Sequence, residues 1–338
     1  MKLLIITDAW TPQINGVVFT LRQTCRELTR LGHQVEVIQP GQFRSIPCPS
    51  YPEIRLSLAT PGHLKQLIDQ YDPDAIHIAT EGPLGLAARH SLRRTTRQFT
   101  TAYHTRFPEY VHARLRLPLA WTYRWLKRFH SVAARTMVPT AGVRDELVNR
   151  GFDPAQVVIW PRGVDLALFQ PGGSADSTPS PTGQGPVFLY AGRVSVEKNL
   201  DAFLQLDLPG EKWVVGGGPA LKDIQSRYPQ VRFFGPQPHD QLAHYYRKAD
   251  VFVFPSLTDT FGLVLLEAMA CGCPVAALPS RPTQDVLGAS GAGIIDVDLR
   301  KACLGALSIP RETAASHAQK FSWTAATDIF LEHLQPFK

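Results

Sequence analysis

Phe254-Pro-Ser-Leu-Thr-Asp-Thr-Phe-Gly-Leu-Val-Leu-Leu-Glu-Ala-Met-Ala-Cys-Gly-Cys-Pro-Val275 runs from an apolar strand through a polar turn into an apolar helix, stops at a glycine and enters a second strand. That is a βαβ unit. A helix start after such a turn offers free N–H groups and a positive dipole end, as a diphosphate requires. Gly262 lets the backbone come close to a phosphate. Glu267 falls one to two turns into a helix otherwise made of Leu265, Leu266, Ala268, Met269 and Ala270. A carboxylate there is costly unless something donates to it, either ribose hydroxyls or a neighbouring loop.

Outward from this segment the same alternation fills the chain. Leu3–Thr7, Gln34–Gln39, Ala75–Ala79, Phe99–Tyr103 and Thr136–Val138 read as strands, with helices such as Val17–Leu31 and Pro83–Arg97 between them. After Asp165 comes Pro171–Pro186, nearly devoid of apolar residues, which reads as an exposed linker or loop. Strands then resume at Val187–Ala191, Lys212–Val215, Val231–Phe234, Val251–Pro255 and Val275–Leu278, and Arg311–Lys320 and Ser322–Leu334 close the chain as helices. With 338 residues, more than one core usually holds, the fold class is α/β with two Rossmann-like parallel-sheet domains. We expect a first domain at 1–165 and a second at 166–320, which the resemblance given below implies to be the acceptor-binding and the nucleotide-sugar-binding domain respectively. The C-terminal helix of 321–338 can cross back to the first domain. Open sheets of this kind carry their ligand crevices at the carboxyl edges, here between the domains.

No apolar run reaches the length of a membrane span, and Met1–Asp8 reads as a buried strand rather than a signal peptide. Five cysteines in no disulfide or zinc spacing point to a cytoplasmic protein. The net charge of +6 is uneven: residues 1–170 carry 21 Lys/Arg against 13 Asp/Glu. Residues 89–135 hold eleven basic side chains and one acid, Glu109. Such a face is either solvated or turned to an anionic membrane or a polyanion. No nucleic-acid recognition motif accompanies it, so nucleic acid is not expected as a partner.

Three strand-end turns add chemistry. Tyr190-Ala-Gly-Arg-Val-Ser-Val-Glu-Lys-Asn-Leu200 places Arg193 and Lys198 where two cations would neutralise a leaving diphosphate, or where Lys198 would pair with Glu197. Val215-Gly-Gly-Gly-Pro219, with Gly217 at its centre, is a glycine turn of the same kind. Tyr103-His-Thr-Arg-Phe-Pro108 puts His104 at a strand end, where an isolated histidine is commonly a structural hydrogen-bonder. Thr7–Val18 is a loop opening a helix at Asn15-Gly16-Val17. It lacks Gly-x-Gly-x-x-Gly, which argues against a dinucleotide dehydrogenase.

Together these motifs resemble the family-4 retaining glycosyltransferases, whose fold is GT-B, and within them a bacterial subgroup near mannosyl- and glucosyltransferases. The donor signature of that family is Glu, seven residues, Glu, then Ala-Met-Ala-x-Gly-x-Pro-Val; here the acids are Asp259 and Glu267. The resemblance implies that Asp259, one methylene shorter than the usual Glu, contacts the donor sugar and Glu267 holds the ribose. The turn Thr260-Phe261-Gly262-Leu263 would give backbone N–H groups to the phosphates. It further assigns phosphate roles to Arg193 and Lys198, close backbone approach to Gly16 and Gly217, and the transferred sugar to His104. Trp160-Pro-Arg-Gly-Val-Asp165 resembles the family's crossover between domains.

The implied reaction is transfer of a glucose- or mannose-type hexose from a UDP- or GDP-sugar with retention of configuration. Asp72–Asp74 is a turn and Asp296–Asp298 lies outside the donor motifs, so neither metal nor cofactor is expected. The mixture of Arg/Lys with Trp121, Tyr123, Trp125 and Phe129 within 106–135 suits a membrane lipid or cell-surface glycan acceptor and peripheral attachment to an anionic bilayer. The same stretch also fits a helix packed on its own domain with Arg outward. A nucleotide-sugar-binding protein without turnover, or a GT-B epimerase, are the other readings. Facing acid and base carboxylates for epimerisation are not found.

Overall fold

The computed structural model describes every residue except 14, 49–50, 94 and 173–184; most of the Pro171–Pro186 stretch therefore lies outside the described residues. Two compact units result, one of Met1–Arg162 with Trp323–Lys338, the other of Gly163–Ser322.

The first unit holds β1 (Lys2–Ile6), β2 (Gln34–Ile38), β3 (Ser45–Cys48), β4 (Tyr51–Ser57), β5 (Ala75–Ile78), β6 (Thr100–Ala102), β7 (Arg135–Val138) and β8 (Val157–Ile159). Six of them form one parallel sheet in the order β2-β1-β5-β6-β7-β8. β1 shows why: Leu4 and Ile6 join one apolar cluster, Leu3 and Ile5 another, so both faces of the sheet are covered. β3 and β4 pair antiparallel outside this sheet, a hairpin that sequence periodicity did not indicate. The helix expected over Pro83–Arg97 ends at Leu92, its last buried residue, because the Arg-rich continuation has no apolar stripe to bury. Trp323–His333 belongs to this unit, with Trp323 edge-on to Phe19 and Phe330 buried against Trp160.

The second unit holds β9 (Val187–Ala191), β10 (Glu211–Val215), β11 (Arg232–Gly235), β12 (Val251–Phe254), β13 (Val275–Ala277) and β14 (Gly293–Ile295). Their parallel order is β11-β10-β9-β12-β13-β14. Strand order reverses between β9 and β12, the topological switch point where open α/β sheets bind ligands outside their carboxyl ends. In the first sheet the reversal falls between β1 and β5.

Arg311, first residue of the helix Arg311–Ala318, ties down two other helix ends. Its guanidinium donates to the carbonyls of Arg247 and Ala249 at 2.8 Å each, and reaches those of Tyr246 and Cys271 at 3.4 and 3.5 Å. Such terminal carbonyls have no partner within their own helices. Arg311→Ala should destabilise the protein by about 1–3 kcal/mol, read as a lower thermal midpoint, with Arg311→Lys recovering part of the loss.

Candidate functional site

At the switch point of the second unit, the turns after β9 and β12 are fastened together. Lys198 Nζ lies 2.5 Å from Asp259 Oδ1. Asn199 Nδ2 donates to the Pro255 carbonyl at 3.2 Å, and Thr258 Oγ1 to that of Glu197 at 3.2 Å. Lys198 thus reaches across to Asp259. Arg193 is half-buried in the same turn, whose shape is held by Tyr190 Oη donating to the Arg193 carbonyl at 2.8 Å.

The adjoining turn after β10 presses on this one backbone to backbone. Val194 N–H donates to Gly217 O, and Gly192 N–H to Val215 O, both at 2.9 Å. A methyl group on Gly216 would stand 1.8 Å from Gly192 O, and one on Gly218 2.3 Å from Val194 O; both residues also have positive φ, at 138° and 157°. Only glycine fits there. Gly217 faces Pro236, whose Cγ would meet a methyl group at 2.7 Å.

After β12, Thr260 is half-buried and Phe261 buried, and Gly262 caps the helix Leu263–Ala270 in the left-handed region at φ 82°. No side chain caps that helix start, which leaves its first N–H groups to an outside acceptor. Glu267 is buried within the helix and accepts from Tyr246 Oη at 3.0 Å. Burial pushes its carboxyl up to about 7, a rise the Tyr246 hydrogen bond only partly offsets. His239 Nε2 stands 3.9 Å from Glu267. Burial lowers that imidazole's pKa, so at neutral pH the contact is polar rather than an ion pair. Sequence reasoning found Glu267 but neither Tyr246 nor His239. Nothing in a helix reading His-Asp-Gln-Leu-Ala-His-Tyr-Tyr-Arg-Lys singles them out.

Gly16 and His104 belong to the first unit. Gly16 opens the helix Gly16–Arg30, where Asn15 Oδ1 accepts from Val17 N–H and Val18 N–H at 3.0 Å each; Ile14 before it is outside the described residues. His104 is buried just after β6, its Nδ1 3.2 Å from an Arg162 amino group. Asp8, a residue not assigned from sequence, spans the switch point of this sheet. Its carboxylate accepts from Leu84 N–H at 2.8 Å, Gly85 N–H at 3.3 Å and Thr80 Oγ1 at 2.9 Å. It therefore caps the helix Pro83–Leu92, which has no side-chain cap of its own.

Within 106–135 the helix Leu119–His130 buries Thr122, Tyr123, Leu126, Phe129 and His130. Its other face carries Arg124, Lys127 and Arg128 beside Trp121, 67 % exposed, and Trp125, 37 % exposed. Tyr123 and Phe129 are thus core residues rather than surface aromatics. Asp74 accepts from the Lys2 N–H at 2.7 Å and Asp298 caps the helix Leu299–Ala306, so these acids serve as turn and cap. Among the described residues, no three His, Cys, Asp or Glu side chains gather as a metal site would require.

A family model described as Glycosyltransferase Family 4 matches residues 14–168, and one described as Glycosyl transferases group 1 matches 185–302. Each half of the chain thus matches a glycosyltransferase model, and the protein is a glycosyltransferase. It is 29 % identical to the sulfoquinovosyl transferase SQD2 of Arabidopsis thaliana, over 93 % of this chain and 69 % of that one. It is 28 % identical to a GDP-mannose-dependent alpha-mannosyltransferase of Mycobacterium tuberculosis, over 87 % and 83 %. Sucrose-phosphate synthase from Thermosynechococcus elongatus superposes with a TM-score of 0.81 at 22 % identity, covering 98 % of this glycosyltransferase and 97 % of the synthase. Anabaena HepE, solved with UDP and glucose, gives 0.73 at 15 % identity, over 98 % of each chain. The fold of this glycosyltransferase is GT-B.

Glu267 has a stability signature. Between the ordinary value of 4.5 and about 7 the folded state keeps a proton that the unfolded chain has released. Stability therefore falls as pH rises through that window. Glu267→Gln, which still accepts from Tyr246, should remove this decline and be more stable than wild type at pH 8 by up to roughly 3 kcal/mol. Urea titrations at pH 5 and pH 8 measure it; parallel pH dependence in the two proteins would contradict the burial argument.

Proposed function

We propose that this glycosyltransferase moves a glucose- or mannose-type hexose from a GDP- or UDP-sugar to a membrane lipid or cell-surface glycan, with retention of configuration and without a metal. The observation that carries this reading is the fastening of the Arg193–Lys198 turn to the Asp259–Leu263 turn at the switch point, beside an uncapped helix start. Lys198 and the turn that carries Arg193 adjoin the turn leading into that helix start, and cations beside free N–H groups are what a departing diphosphate needs. Asp259, held by Lys198, is assigned to the sugar hydroxyls and Glu267 to the ribose. Thr260, Phe261, Gly262 and Leu263 are assigned to the phosphates, as are Gly217 and, from the first unit, Gly16. His104 is assigned to the transferred sugar.

In the reaction the anomeric carbon–phosphate bond breaks as a bond to the acceptor oxygen forms on the same face. The leaving phosphate oxygen takes the acceptor hydroxyl's proton, so no carboxylate base is required. Positioning and charge stabilisation then supply the rate. The likeness to a GDP-mannose-dependent alpha-mannosyltransferase makes GDP-mannose the first donor to try.

A panel of GDP- and UDP-sugars with lipid and glycan acceptors should give one productive pair, with the product's anomeric configuration matching the donor's. On that pair Arg193→Ala should lower kcat by about 10²–10³-fold. Glu267→Ala should weaken donor binding by roughly 10–100-fold, as loss of hydrogen bonds to a charged group does. Near-normal transfer in both variants would refute the assignment. Nucleotide binding with no transfer to any acceptor would instead favour a binding protein without turnover.

Acceptor access from a bilayer is supported by the outward face of Leu119–His130, where Trp121 and Trp125 stand among Arg124, Lys127 and Arg128. Phosphatidylglycerol vesicles should retain the protein at low salt and release it at high salt. Trp121→Ala with Trp125→Ala should abolish retention. Absence of binding at low salt would remove the membrane from this account.

A further inference from the structure

The residue behind His104 is as constrained as His104 itself. Trp160, just after β8, is fully buried; the ring of His104 meets it edge-on at 5.6 Å and that of His77 at 5.8 Å. The Arg162 guanidinium lies 4.3 Å from the centroid of the Trp160 ring, and Arg162 is only 4 % exposed. One of its amino groups donates to Trp160 O at 2.6 Å and to Pro161 O at 3.2 Å. The other stands 3.2 Å from His104 Nδ1. Arg162 makes no ion pair among the described residues, and burial pushes its guanidinium down to about 9, so it remains charged at neutral pH. What holds it is directional: its donors reach Trp160 O, Pro161 O and His104 Nδ1.

A guanidinium has five N–H donors and no acceptor. In its contact with Arg162, His104 Nδ1 must therefore be the acceptor, with the ring proton on Nε2. We propose that Arg162 is a positioning residue for sugar transfer: it holds His104 as the Nε2–H tautomer, so that the imidazole offers a hydrogen-bond donor to an oxygen of the transferred hexose. Burial, the Arg162 charge and His77 keep His104 well below the ordinary imidazole range, so the ring is neutral at working pH. This inference rests on the assignment of His104 to the transferred sugar.

Histidine-15N NMR of the unliganded protein tests the coupling directly, with His104→Gln identifying the His104 resonances. Wild type should show a protonated Nε2 and a bare Nδ1. Arg162→Met should yield a tautomer mixture and lower kcat by about 10–100-fold, the usual cost of losing an orienting partner, with a much smaller change in donor KM. Arg162→Gln retains an N–H donor and should keep the wild-type tautomer and more of the turnover. A proton on Nδ1 in wild type, or wild-type tautomer and kcat in Arg162→Met, would overturn the proposal. Full turnover in His104→Gln beside the expected tautomer would overturn instead the role of His104, leaving the Arg162–His104 coupling intact.

Discussion

The second unit of this molecule depends on one constraint, the reversal of strand order between β9 and β12. Because the chain leaves these neighbouring strands in opposite directions, their turns open a crevice that packing alone does not close. Three polar links fix its width, Lys198 to Asp259, Asn199 to Pro255 O and Thr258 to Glu197 O. The glycine turn after β10 then braces the Arg193 turn from behind, so closely that a single methyl group on Gly216 would collide with Gly192 O. Rigid turns of this kind set the positions of Arg193 and Lys198 before any ligand arrives, which is what electrostatic preorganisation requires.

The first unit meets the same topological problem differently. Between β1 and β5, the Asp8 carboxylate fills the reversal point and caps Pro83–Leu92. Burial raises the Asp8 pKa, while hydrogen bonds from Leu84, Thr80 and Gly85 favour the charged form. Its job is to hold a helix start. Further along the sheet, His104, Trp160 and Arg162 form a buried stack after β6 and β8, where a polar ring is oriented rather than solvated.

Much of this was legible in the sequence because parallel sheets bury both faces and write themselves as short apolar runs: Val187–Ala191 is the same strand in sequence and structure. Gly262 and Glu267 were legible for the opposite reason, as residues that break the local pattern and so demand an explanation. The hairpin of β3 and β4 was not, since Ser45-Ile-Pro-Cys48 contains a proline and buries none of its side chains. Nothing in Trp160-Pro-Arg-Gly-Val-Asp165 marks Arg162 as a buried residue. Its partner His104 is 58 positions away, and only the adjacency of β6, β7 and β8 brings the two together. The Tyr246–Glu267 bond was hidden similarly, because Tyr246 lies in a helix whose polar majority suggests a surface.

Hydrogen–deuterium exchange with and without saturating GDP or UDP tests the central claim most directly. The account predicts that the nucleotide that binds slows exchange at Gly192–Lys198, Gly216–Gly218 and Thr260–Leu263. Binding with protection confined to other segments, or no protection by either nucleotide, would contradict it.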